Sequence, residues 1–137
     1  MKTTRTTLFA LLTLLYAAPL LADDYQSVVP LITKARKNIV KEPIVYPNGQ
    51  AEVTSLIVTM NPGETTGWHA HGVPTYGYIL EGELAVDYEH VGMKIYKEGT
   101  GFMEAMQVLH NGHNDGKKPV RILVVFMGAE GVGNVAK

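Results

Sequence analysis

The chain reads as an all-β domain, a sandwich or small barrel, and three observations predict it. From Ala51 onward, short runs rich in Val, Ile, Thr and Tyr recur at regular intervals. Gly, Pro and Asn cluster between them, at Pro47-Asn48-Gly49, Asn61-Pro62-Gly63 and His90-Val91-Gly92. No segment after residue 44 carries a sustained helical periodicity.

Taken in order, the first 22 residues are set apart. Lys2 and Arg5 precede an apolar core from Leu8 to Leu15, and Pro19-Leu20-Leu21-Ala22 forms a cleavage-like end before Asp23. The run is shorter than the roughly 20 residues that span a bilayer. Residues 1–22 are therefore expected to be a cleaved export signal, and the mature protein to be periplasmic or secreted. A lipid anchor on the new N-terminus needs a cysteine, and there is none, so no stable membrane anchor is expected.

Removing Lys2 and Arg5 from twelve basic residues leaves ten against thirteen acidic, a net charge of −3. That balance argues against nucleic acid as a partner. The absence of cysteine excludes thiol nucleophiles, iron–sulfur clusters and thiolate zinc sites. Ser27 and Ser55 are the only serines and neither lies in a nucleophile elbow. Gly128 to Gly133 follows the last apolar run and opens no helix, so it is no phosphate loop.

Residues 23–43 are an N-terminal arm or short helix: Leu31, Ile32, Ala35 and Ile39 fit a helical spacing, but Pro30 and Pro43 interrupt it. Residues 44–137 form the barrel. Expected strands are Ile44–Tyr46, Glu52–Met60, Trp68–His71, Tyr76–Tyr88, Lys94–Lys97, Phe102–Glu104, Val108–Asn111 and Val120–Met127, with a frayed tail from Gly128.

The chemistry centres on histidine. His69 and His71 are two apart, so an extended strand points both imidazoles to one side. Paired imidazoles suit first-row divalent metals. Gly63 is followed by five residues, His69-Ala70-His71, three residues, Thr75, six residues and Gly82. Further on, Gly99 is followed by five residues, Ala105-Met106-Gln107, two residues, His110, three residues and Asn114.

These two stretches resemble the two motifs of the cupin superfamily. With Tyr46-Pro47-Asn48-Gly49 and the strand Gly77-Tyr78-Ile79-Leu80-Glu81-Gly82-Glu83-Leu84, the chain is similar to small exported single-domain cupins. The resemblance implies a double-stranded β-helix, the jelly-roll barrel. It also implies His69, His71 and His110 as ligands to a divalent transition metal: Fe, Mn, Zn, Ni or Cu. Thr75 stands where the family places a ligating Glu, and Ala105 and Gln107 stand where it places Pro and Gly. Glu104 and Gln107 are the candidates to supply the missing oxygen, and with Thr75, itself a poor ligand, they are the pocket candidates.

By strand parity Gly77 and Ile79 face inward with Thr75, and Gly77 leaves room for a substrate. Tyr76 and Tyr78 face out, and a homodimer is a reasonable expectation for such barrels. His90 and His113 are read as solvated, and Asn114 as a residue tying a loop to the backbone. Two classes of function follow: a metal-dependent oxygenase- or isomerase-type enzyme acting on a small molecule, or a non-catalytic module that binds a metal or small ligand. A barrel without metal, serving as an interaction domain, is a third reading.

Overall fold

A computed structural model describes residues 25–136; the export signal expected over residues 1–22 lies outside the described residues. Among the described residues the β-branched and aromatic runs form nine strands: β1 (Ala51–Met60), β2 (Ala70–His71), β3 (Thr75–Glu81), β4 (Glu83–Tyr88), β5 (Gly92–Lys97), β6 (Gly101–Met103), β7 (His110–His113), β8 (Val120–Ala129) and β9 (Val135–Ala136). They build a four-stranded sheet ordered β1-β8-β3-β6, a three-stranded sheet ordered β5-β4-β7, and the pair β2-β9. Every pairing is antiparallel. The jelly-roll expectation holds.

Inward residues alternate along the strands of both sheets, as a half-buried sheet requires. Ile79 of β3, Leu84, Val86 and Tyr88 of β4, Tyr96 of β5, Phe102 of β6 and Ile122 of β8 pack into one core. Tyr96 and Phe102 stack with ring centroids 3.9 Å apart.

Three sequence expectations change. The long strand from Tyr76 to Tyr88 is broken at Gly82, where the chain leaves one sheet for the other. Gly82 has φ of +82°, and a Cβ there meets the Pro119 carbonyl oxygen at 2.8 Å, so the corner demands glycine. Ile44–Tyr46 is extended but joins no ladder, since Ile44 N–H donates back to Arg36 within the arm. The tail does not fray: β9 returns to pair with β2, placing Ala70 opposite Ala136 and His71 opposite Val135.

The segment from Tyr25 to Pro43 holds no helix. It runs as an arm with one bridge, Lys37 to Pro43, and Ile39 N–H donates to the Met103 carbonyl of β6. Asn38, buried in the arm, accepts at Oδ1 from the N–H groups of Val40 and Glu42 and so fixes the turn between them.

Candidate metal centre

Backbone pairing brings the histidines together. His69 N–H donates to the His110 carbonyl at 3.0 Å, and His110 N–H returns the bond at 2.9 Å, so the two residues lie directly opposite one another. His71, two positions on, shares the face of His69, and its N–H donates to the Met106 carbonyl at 2.8 Å. His69, His71 and His110 each place one ring nitrogen within 4.8 Å of those of the other two. His71 and His110 are buried and His69 half-buried.

Each ring has its tautomer set by a carbonyl. His69 Nδ1 lies 2.8 Å from the Gly67 oxygen, His110 Nδ1 3.0 Å from the Val108 oxygen, and His71 Nδ1 3.3 Å from the Asn134 oxygen. A carbonyl only accepts, so each Nδ1 carries the hydrogen and each neutral ring keeps its lone pair on Nε2. Nε2 of His71 and Nε2 of His110 then face each other 3.3 Å apart. Two lone pairs at that distance repel unless a cation lies between the rings, and three clustered imidazole nitrogens are what a divalent transition metal takes. The donor set fits the metal that the two motifs imply.

His71 and His110 also resist protonation. Burial pushes the His71 pKa down to about 3, with positive His110 and His69 adding to it. Burial lowers His110 as well.

Behind the rings lies a cavity of about 260 Å³, walled by residues of both sheets. Glu104 and Thr75 are on its wall. Glu104 Oε1 accepts from Tyr88 Oη at 2.6 Å and from Ala105 N–H at 2.7 Å, while Oε2 lies 4.0 Å from His110 Nε2. Tyr88 Oη lies 2.8 Å from Tyr96 Oη, which extends the chain of polar atoms into the core. Burial raises the Glu104 carboxyl to about 7, against the lowering effect of its bonds to Tyr88 and Ala105 and of nearby His69. Burial, and then Glu104 itself, push the Tyr88 phenol far up, and burial raises Tyr96. Thr75 Oγ1 donates to the Val73 carbonyl at 3.0 Å.

Several expectations need correcting. Gln107 is exposed and absent from the cavity wall; its N–H, not its side chain, is engaged. Gly77 lies on the cavity wall, and part of the space a side chain would take there is filled by the protein, since a Cβ meets the Phe102 ring at 2.6 Å. His113 is half-buried on β7, opposite Ala85, rather than in a turn. His90 is exposed at a turn, with φ of +60°. Asn114 ties its loop as expected, donating to the carbonyls of Met60 and Lys118 and accepting from Gly116 N–H.

One residue has no signal in the motifs. Glu42 of the arm accepts from the N–H groups of Met106, Gln107 and Val108, at 2.8, 3.2 and 3.2 Å, and from Asn38 Nδ2 at 2.6 Å. It holds the loop whose two ends carry Glu104 and His110. Burial pushes its pKa up, but these hydrogen bonds outweigh it and the carboxyl ends below its ordinary value.

A family model described as the cupin domain matches residues 56–126, more than half of the chain. The protein belongs to the cupin domain family. Among solved structures it is similar to the oxalate decarboxylase of Lactobacillus farciminis (TM-score 0.54, 19% identity, 64% of this chain and 27% of that one). It is also similar to a Bacillus halodurans protein (TM-score 0.52, 16% identity, 61% of this chain and 69% of that one). The DMSP lyase DddQ of Ruegeria pomeroyi aligns at TM-score 0.51 and 20% identity, over 58% of this chain and 40% of that one. The chain thus spans less than half the length of the two enzymes, and at these identities the likeness concerns the fold. Comparison with curated proteins finds no match.

Proposed function

We propose that the protein is an exported small cupin that holds a divalent transition metal through Nε2 of His69, His71 and His110 and acts on a small molecule in the adjoining cavity. The observation that carries this reading is the set of three rings that bring one nitrogen each within 4.8 Å of the others while their Nδ1 atoms face backbone carbonyls. Three protein ligands with open positions suit a reactive rather than a structural ion. Such an ion supplies a Lewis acid or a redox centre for oxygenase- or isomerase-type chemistry. Glu104 is the acid–base group: its free oxygen faces His110 and its pKa sits near neutrality, where a proton acceptor works best. Tyr88 orients that carboxylate, and Thr75 lends its hydroxyl to the wall.

One observation favours a second reading, a non-catalytic binder: among the described residues, Glu104 is the sole ionisable one besides the three histidines on the cavity wall. Export to the periplasm or medium is supported by the charge and hydropathy of residues 1–22. A homodimer is supported by the apolar outer face of the larger sheet, where Val53 and Ile57 of β1 are exposed beside Met127 and Leu123 of β8.

Elemental analysis of protein purified from its own compartment tests the metal. Stoichiometric metal in wild type, lost in His71→Ala, supports the site; equal metal in both refutes it. Oxygen uptake on diols and thiols, with isomer analysis of products, then separates enzyme from binder.

A further inference from the structure

We propose that the cavity takes an uncharged, largely apolar molecule about the size of one substituted ring, presenting a single oxygen donor to the histidine end. The inference deepens the metal-centre reading and rests on it for the position of that donor.

The walls carry the argument. Away from the histidines the cavity is lined by Leu56, Val58, Leu84, Phe102, Ile122 and Val124, and among the described residues no lysine or arginine lines it. The one carboxyl group on the wall, Glu104, is itself buried and has no positive charge to offer an anion. A charge placed beyond reach of the histidine end loses its water and gains no partner, a cost of several kcal/mol. In the metal-free protein a dianion such as oxalate would lie against neutral imidazoles and aliphatic side chains with no cationic partner. An apolar ring loses nothing there and gains roughly 25 cal/mol for each Å² removed from water. Size agrees: an apolar cavity of roughly 150 Å³ accepts benzene, so about 260 Å³ has room for a ring with a short substituent.

Leu56 offers a handle. It lines the cavity from β1 and is 41% exposed, so a larger or charged side chain enters the mouth without disrupting packed core.

The test uses the full mature chain, metal-free, with benzyl alcohol and oxalate as probes and ligand-observed NMR as readout. Benzyl alcohol is expected to bind saturably and oxalate not to bind. Leu56→Trp, which fills the cavity, is expected to weaken benzyl alcohol by about tenfold or more, and Leu56→Arg to weaken benzyl alcohol and admit oxalate. Val58→Phe stands in should Leu56→Trp fail to fold. Oxalate binding the metal-free wild type as well as benzyl alcohol does, or benzyl alcohol binding that both filling variants leave unchanged, would overturn the proposal. Zinc binding is followed separately by equilibrium dialysis. Zinc retained with no benzyl alcohol bound sinks the ligand class alone. Benzyl alcohol bound by a protein that retains no zinc sinks the metal reading and with it the donor's place, while the apolar class stands.

Discussion

Replacing Glu42 with alanine is the perturbation that most directly asks whether the arm belongs to the site. Four hydrogen bonds end on its carboxylate, three of them from the consecutive N–H groups of residues 106, 107 and 108. A hydrogen bond to a charged group contributes about 1.5–3 kcal/mol when buried. Glu42 is only half-buried and water can re-solvate the freed amides, so the four together are worth about 2–4 kcal/mol rather than their sum.

The loss should reach the metal centre. The Met106 carbonyl receives the His71 N–H, and the Val108 carbonyl receives His110 Nδ1. Disturbing groups that orient metal-binding histidines typically lowers affinity by 10–100-fold. Denaturant unfolding of the metal-free protein, paired with zinc titration by competition with a chelator, measures both quantities. Glu42→Ala should lose about 2–4 kcal/mol and about tenfold or more in zinc affinity, with Glu42→Gln between it and wild type. Full stability loss with unchanged zinc affinity would refute the idea that this carboxylate positions the rings. The sign with pH also follows. The Glu42 pKa is lowered in the folded state, so its contribution is present above the ordinary carboxylate value and is lost as pH falls through the lowered one.

Other predictions concern the cavity. In the metal-free protein Glu104, raised to about 7 from 4.5, favours folding fully below 4.5 and loses that contribution as pH rises to 7. His71, lowered to about 3 from 6.5, acts oppositely, costing stability as pH falls from 6.5 toward 3. The two slopes, each about 1.4 kcal/mol per pH unit, oppose one another between pH 4.5 and 6.5. Glu104→Gln should leave the His71 slope uncompensated, so that unfolding free energy climbs across that window more steeply than in wild type; parallel profiles would contradict it. Because burial keeps His71 and His110 unprotonated, protons should displace metal from these two rings only below the ordinary imidazole range, and half-release above pH 6.5 in dialysis would count against the site. Gly77→Ala drives a methyl into the Phe102 ring and should cost about 1–3 kcal/mol in thermal unfolding, relieved by adding Phe102→Leu.

The three-histidine face was legible because it depends on local rules. Strand parity puts His69 and His71 on one side whatever else the chain does, and the motif spacing supplied His110. Parity also turned Tyr76 and Tyr78 away from Ile79, which is fully buried. What escaped depends on distant contacts. Glu42 meets Val108 across 66 residues, and no pattern around either end announces the pairing. The Gly77 void was legible, but not the ring that fills it, because Phe102 comes from a neighbouring strand. The glycine-rich end looked frayed since its two-residue strand makes sense only once β2 offers an edge. Glu104 was ambiguous for a related reason: whether a carboxylate in an apolar run faces water depends on a tyrosine sixteen residues away.

The return of the tail has a consequence for how access and chemistry are joined. Asn134 supplies the carbonyl that faces the His71 Nδ1, and the next residue, Val135, walls the cavity. A protease that removed the last four residues would therefore do two things with one cut. It would widen the entrance, and it would let one of the three imidazoles turn over and offer the wrong nitrogen. Openness to large molecules and competence to grip an ion are thus set against each other by a single peptide segment.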